Sequence, residues 1–525
     1  MNRILKLSAI LTFALLTGCN QNKILTTKVK VEGGTIEGYT DGQITIFKGI
    51  PFAAPPVGEL RWKAPQPVIP WDNVRKTVDF GPSCPQMTWP GQKGNFSEDC
   101  LYLNVWTPAK KTDEKLPVMV WIYGGGFAMG STAVPVYTGE EIAKKGVIMV
   151  SVAYRVGPLG FMAHPELTAE SENHVSGNYG LLDQIAGLRW IQNNIASFGG
   201  DPNNVTIFGE SAGAISVSML AASPLTRGII HKAISESGGS FWPVNEKKET
   251  DCIGKLRGGE DYGIEFAKRM GVNSLAEMRK LSPEKLLADP SAAMGGFWPL
   301  VDGYVITDDQ YKLYSEGSYN DIPVMIGTNS DEGSMFVRSA KSSDYLASLP
   351  KRFGPLAEKI EGLYPGDNDE SALKSMADIF RETAFAWPTW AWARLQTKTG
   401  KSPVYFYYFD QPQPGMPAPY GDGKPRGAYH SCEMQYVFHH LDQNPGMANK
   451  NGDNTLSDYM ISYWTNFAKS GNPNGEGLAQ WPVFSEEKES TMYLDSIPHT
   501  GPVPNIEKLK AMDEYFTWRR ENVKQ

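Results

Sequence analysis

Cysteine is scarce in this sequence: five occur in 525 residues, at positions 19, 84, 100, 252 and 432. That excludes a disulfide-scaffolded miniprotein. Beyond the first twenty residues no apolar run reaches the roughly 18 needed to cross a bilayer, which excludes a chain that spans one by helices. Basic runs are missing too. Lys plus Arg number 50 against 58 Asp plus Glu, for a formal charge of −8. Phosphate binding relies on clustered Lys and Arg, so the balance argues against nucleic acid as a partner. Glycine (53) and proline (37) are enriched yet fall short of low complexity, and 41% hydrophobic residues exclude a disordered chain. The length alone suggests roughly three domains at about 150 residues each. No repeat, low-complexity tract or strong linker interrupts residues 28–525, however, which favours one large domain with long insertions.

The amino terminus reads as an address. Arg3 and Lys6 precede the apolar run Leu7–Leu16, too short for a membrane span but suited to a signal peptide. The following Leu16-Thr17-Gly18-Cys19 resembles the lipobox of bacterial lipoprotein signals, in which the cysteine is lipid-modified and becomes the mature terminus. The plainer alternative is an ordinary signal peptide that ends near a cysteine. The expectation is a signal peptide at 1–18, lipidated Cys19 with a polar tether over 19–27, and the body of the protein at 28–525. The product is then an exported bacterial lipoprotein on the periplasmic side or cell surface, touching the membrane through its lipid alone. Losing Arg3 and Lys6 leaves 48 basic against 58 acidic residues, a charge near −10. In an oxidising compartment Cys84 and Cys100 are close enough in sequence to pair, although other pairings stay open.

Within the body, strand-like runs alternate with helical patterns. Leu116–Tyr123 and Val147–Tyr154 are almost continuously apolar, as strands buried on both faces of a parallel sheet must be. Val205–Phe208, Ile322–Ile326 and Pro403–Phe409 are further strand candidates. Leu181, Leu182, Ile185, Leu188, Ile191 and Ile195 recur at spacings of three and four and predict a helix that stops near Gly199-Gly200. A second helix is predicted from about Leu456 to Lys469. The order implies an α/β fold: a large, mostly parallel central sheet flanked by helices.

One turn in that pattern carries chemistry. Gly209-Glu210-Ser211-Ala212-Gly213 follows the strand at Val205–Phe208 and precedes a predicted helix at Ala214–Ala222. A serine on such a strand-to-helix turn is lifted above the sheet, and the flanking glycines are required because the backbone and helix leave no room for Cβ atoms. A serine hydroxyl is a weak nucleophile and needs a base, itself oriented by an acid. Of seven histidines, His430, His439, His440 and His499 lie far enough downstream for the usual order of serine, acid, histidine. His430 is preferred, because it follows the strand-like Pro403–Phe409 in a Gly-containing loop. Asp302, Asp331 and Glu332 are candidate acids, and spacing does not separate the last two. Tyr123-Gly124-Gly125-Gly126-Phe127 ends a buried strand with exposed backbone N–H groups that could serve an oxyanion. No Gly-Lys-Ser/Thr follows, so a phosphate loop is not indicated.

Phe47–Arg61, Glu98–Pro108, Val118–Phe127, Asn178–Leu188, Phe198–Gly213 and Thr328–Gly333 together resemble the type-B carboxylesterases, the family of cholinesterases, bile-salt-activated lipases and bacterial para-nitrobenzyl esterases. The resemblance runs from about residue 28 to 520 and implies an α/β-hydrolase fold with a Ser211–Glu332–His430 triad. It implies an oxyanion hole from the N–H groups of Gly125, Gly126 and Ala212, and a supporting role for Ser237 in orienting the acid. It also implies a Cys84–Cys100 disulfide and ion pairs Arg61–Glu98 and Arg155–Asp183. The family's second disulfide has no evident counterpart: Cys252 lies in a charged insertion, and Met278 stands where the resemblance would put its partner. Trp89 sits in the short Cys84–Cys100 loop, where a tryptophan binds choline in cholinesterases; a packed or substrate-lining indole is the expectation here. Phe297, Trp298, Met335 and Phe336 fall near the family's acyl and gorge positions.

The reaction expected is hydrolysis of a small-molecule carboxylic ester through an acyl-enzyme, with no cofactor and no metal. Two alternatives belong to other classes. One is a cholinesterase-like surface binding protein that has lost its nucleophile, which the presence of all three triad residues opposes. The other is a lipase working on lipid aggregates. The oligomeric state, the natural ester and the membrane that holds the anchor are not legible.

Overall fold

In a computed structural model the described residues are 24–88, 94–246, 253–412, 426–443 and 451–522. The expected signal peptide, Cys19, Trp89 and Cys252 lie outside them. Eleven of the sixteen strands among the described residues belong to one sheet. In chain order its members are β1 (Tyr39–Thr40), β2 (Thr45–Pro51), β3 (Tyr102–Thr107), β4 (Leu116–Ile122), β5 (Ile148–Val152), β6 (Gly200–Glu210), β7 (Lys232–Glu236), β8 (Val324–Asn329), β9 (Val404–Phe409), β10 (Ser490–Leu494) and β11 (His499–Pro502). Across the sheet they run β11-β10-β9-β8-β7-β6-β4-β5-β3-β2-β1. The stretch from β10 to β5 is wholly parallel, and both edges are antiparallel. This is the α/β-hydrolase architecture, with long insertions between strands.

Burial explains why the central strands are apolar. Every residue of β5, β7, β8 and β9 is buried, because helices cover both faces. The expected strands are found within a few residues of their predicted bounds. Six strands of this sheet escaped the apolar-run criterion. One is β7, whose Lys-Ala-Ile-Ser-Glu sequence buries polar groups among its neighbours. The other five, β1, β2, β3, β10 and β11, lie toward the two edges of the sheet. Helix α1 (Tyr179–Asn194) buries the face predicted from Leu181 onward and passes into a short 3-10 turn, Ile195–Phe198, which ends at Gly199 in the left-handed region. Helix α2 is Ala212–Ala222; α3, α4, α5 and α6 are Leu256–Met270, Asp369–Arg381, Trp387–Thr399 and Asn451–Ser470. None of the described helices is long and apolar enough to cross a membrane.

Register sets up the site. Ile122 of β4 pairs with Gly209 of β6, Glu210 pairs with Glu236 of β7, and Glu236 pairs with Gly327 of β8. The carboxyl ends of these parallel strands are therefore level. The loops leaving them converge on one edge, where open α/β sheets place ligands.

The two expected ion pairs tie the N-terminal segments to the body. Arg155 donates to both carboxylate oxygens of Asp183 at 2.8 and 2.7 Å, with both side chains almost fully buried. Arg61 holds Glu98 at 2.6 and 2.5 Å. Cys84 and Cys100 are buried side by side, Cys432 is buried beside the histidine, and Met278 is packed in the core.

Candidate active site

Ser211 stands between β6 and α2 with φ 55° and ψ −122°, a conformation that costs a non-glycine residue free energy and is held by its surroundings. Its N–H donates to the Glu236 carbonyl at 2.9 Å, which anchors the turn to β7. The glycine requirement is steric. A Cβ on Gly209 would stand 2.6 Å from the Ile122 carbonyl oxygen, and one on Gly213 would stand 2.0 Å from the same atom. Ala212 is the first residue of α2, so its N–H has no acceptor within the helix.

The glycine loop beyond β4 packs directly on this turn. A Cβ on Gly124 would meet the Glu210 carbonyl at 2.6 Å and Ser211 Cβ at 3.0 Å. Gly125 and Gly126 adopt φ of 103° and 61°, values that glycine reaches without strain. Gly125, Gly126, Ser211, Ala212 and His430 all line a cavity of about 820 Å³. Aromatic and apolar side chains, among them Trp242, Met294, Trp298, Met335, Phe336, Phe380 and Phe385, form most of the remaining wall, with Glu210 and Ser431 beside the serine and histidine. Of the four positions expected near the gorge, Phe297 is the exception. It is buried edge-on against Tyr262 and Phe266 and lines a neighbouring cavity that shares Gly295 and Trp298 with this one.

His430 is buried, with Nδ1 2.5 Å from Glu332 Oε2. The other oxygen of Glu332 accepts the Asn329 N–H at 2.7 Å, so both carboxylate oxygens are held. The neighbouring Asp331 faces elsewhere and accepts from Ser334 Oγ at 2.7 Å, and Asp302 caps its own turn by accepting three backbone N–H groups. His439 bonds Ser457 and His440 bonds Thr138, while His499 is exposed at the sheet edge. Ser237 Oγ is buried with no hydrogen-bond partner among the described residues.

Groups that the sequence reading left without a role also gather here. Glu210 Oε1 accepts from Ser431 Oγ at 2.5 Å and lies 3.1 Å from His430 Nε2. Asn329 Nδ2 donates to the Tyr429 carbonyl at 3.0 Å and to Glu433, which links the acid loop to the histidine loop. Burial opposes charge on His430, but Glu210 and then Glu332 outweigh it and hold its pKa above the ordinary imidazole value. Burial raises Glu210, and raises Glu433 well above the usual carboxylate range with further help from Glu210 and Glu332. Burial also lifts Glu236 to about 8. Proximity in the chain could have flagged Glu210 and Glu433, beside Ser211 and His430; nothing local marks Phe385 or Trp242. No cluster of His, Cys, Asp and Glu suited to a metal ion occurs among the described residues.

Comparison with known proteins agrees with this geometry. The carboxylesterase family matches residues 22–512. Fumonisin B1 esterase of Sphingopyxis macrogoltabida is 37% identical over 477 residues, 87% of this chain and 84% of that one. Para-nitrobenzyl esterase of Bacillus subtilis is 36% identical over 507 residues, 92% of this chain and 98% of its own. A solved PNB esterase structure superposes with a TM-score of 0.79 at 34% identity, covering 93% of this chain and 99% of that one. With the fold, the elbow and the match along nearly its whole length in agreement, the chain belongs to the carboxylesterase family.

Proposed function

We propose that this carboxylic ester hydrolase works through Ser211, His430 and Glu332. The observation that carries the assignment is that His430, bound through Nδ1 to the buried Glu332, shares one apolar cavity with the strained Ser211. As Ser211 Oγ bonds to the ester carbonyl carbon, its proton passes to His430 Nε2 and the carbonyl electron pair moves onto oxygen. Glu332 keeps the Nδ1–H tautomer and offsets the charge of the imidazolium. The N–H groups of Gly125, Gly126 and Ala212 receive the oxyanion, supported by the left-handed glycines and the open helix terminus. Collapse breaks the C–O bond to the alcohol, which leaves with the proton from His430. Water then repeats the sequence on the acyl-enzyme. Ser211→Ala is expected to abolish turnover of para-nitrophenyl acetate while circular dichroism and melting stay unchanged; retained hydrolysis would overturn the assignment.

We also propose that the chain is exported and lipidated at Cys19. Export and lipidation at Cys19 are supported by the charged start, the apolar run and Leu16-Thr17-Gly18-Cys19. Labelled palmitate should enter the full-length protein in a bacterial host and not the Cys19→Ser variant. A Cys84–Cys100 disulfide in an oxidising compartment is supported by the family resemblance and by the burial of both side chains as neighbours.

A further inference from the structure

The wall of the cavity opposite the glycine loop has an unusual backbone. Between α4 and α5 the chain makes a single π-helical turn, Glu382–Ala386, in which the Trp387 N–H reaches back to the Glu382 carbonyl. Pro388 explains it. Proline has no N–H to offer the Ala384 carbonyl four residues earlier, and its ring crowds that oxygen, so the turn widens. Side chains satisfy neighbouring carbonyls: Trp242 Nε1 donates to Thr383 O at 2.8 Å, and Thr389 Oγ1 to Phe385 O at 2.9 Å. At the other end Arg381 pairs with buried Glu382 and donates through Nη1 to Ser330 O at 2.9 Å, two residues before Glu332. Gly333 packs on the same helix, since a Cβ there would stand 1.9 Å from the Ala377 carbonyl.

The widened turn places one side chain against the proposed base. The Phe385 ring lies 4.5 Å from the imidazole of His430, centroid to centroid, inclined by only 26°. Phe336 reaches the same imidazole at 5.2 Å but tilted by 59°, so Phe385 supplies the stacked face. We propose that Phe385 is a positioning residue for His430, held over the imidazole by the π turn so that the ring presents Nε2 to Ser211 throughout turnover.

This rests on the triad reading above. Hydrogen bonds at Nδ1 and Nε2 fix the axis through those two atoms but only weakly resist rotation about it; a ring stacked on the imidazole face restricts that rotation. The electron-rich face of the phenyl ring also attracts the imidazolium that forms as the serine is deprotonated. The charged groups facing the imidazole are Glu332 at Nδ1 and Glu210 at Nε2, with the Arg381–Glu382 pair on the turn that carries Phe385 and Glu433 on the histidine's own loop.

The test is Phe385→Leu, which keeps an apolar side chain but removes the ring, with Phe385→Tyr as the conservative partner. On para-nitrophenyl butyrate, Phe385→Leu should lower kcat about tenfold with KM within about threefold, and should move the acid limb of kcat/KM to lower pH by about half a unit. Phe385→Tyr should restore both. Wild-type kcat and an unmoved limb in a folded Phe385→Leu protein would overturn the proposal, as would a loss confined to KM or to melting temperature. A Ser211→Ala enzyme that still turned over would instead sink the triad reading, so the two failures are distinguishable.

Discussion

Glu332 Oε2 lies 2.5 Å from one ring nitrogen of His430 and Glu210 Oε1 lies 3.1 Å from the other, so the imidazole faces a carboxylate at each end. Together they overcome the burial that would otherwise discourage its charge, and its pKa is raised. A general base works only when neutral, so activity is lost as pH falls through that raised value. The acid limb of kcat/KM is therefore expected above the ordinary histidine value of about 6.5, and Glu210→Gln should move it down. A pH–rate series on both proteins checks this; a wild-type limb at or below the ordinary value contradicts the electrostatic account. Of the three triad residues, Ser211 was legible alone, because its turn leaves a local signature of glycines around a serine. Glu332 and Asp331 are adjacent in sequence, yet one is buried on the histidine and the other serves Ser334. Only the path of the loop after β8 separates them; the family resemblance had selected Glu332, while spacing had not.

At the scale of elements, the parallel strands were readable because burial on both faces leaves nothing but apolar residues to read. The missed strand β7 shows the limit of that rule. Lys232, Ser235 and Glu236 are buried in it, with Glu236 accepting from Trp464 Nε1 at 2.9 Å. The π turn was illegible for a different reason, since its cause, Pro388, is equally compatible with the ordinary first turn of a helix. The elbow's steric demand gives a clean measurement. Gly213→Ala drives a methyl into the backbone of β4, where no flexible atom can yield, and should cost about 3 kcal/mol or more in urea unfolding. Gly362→Ala is the control: nothing lies within 4 Å of its Cβ position, and in its helix the change should be neutral or mildly stabilising. Equal effects at the two sites would remove the packing explanation.

Over the whole molecule, the sheet's central strands bring buried carboxylic acids together behind the site, and this couples stability to pH. Glu236 titrates near 8 when folded against 4.5 when free. Below the lower value both states carry the proton and nothing is lost. Between the two only the unfolded chain ionises, so stability drains as pH rises toward 8, by an amount on the order of 4 kcal/mol. Glu236→Gln keeps an acceptor for Trp464 and has no proton to lose. It should melt like the wild type near pH 4.5 and several degrees higher at pH 8; a constant difference between the two proteins across that range would refute the linkage.

What the sequence determined unaided was local: the apolar strands, the periodic face of α1, the serine between two glycines and the glycine loop at the end of a buried strand. Each follows from contacts a residue makes within its own element or with the next one. What the tertiary structure alone decided was which distant groups meet. Asn329 reaches Glu433 and the Tyr429 carbonyl, Glu210 reaches His430 some 220 residues onward, and Phe385 comes to lie on the imidazole. Those meetings depend on the level carboxyl ends of parallel strands and on a helix widened by one proline, and neither the register of a sheet nor the rotation of a helix is written in the spacing of the residues they bring together.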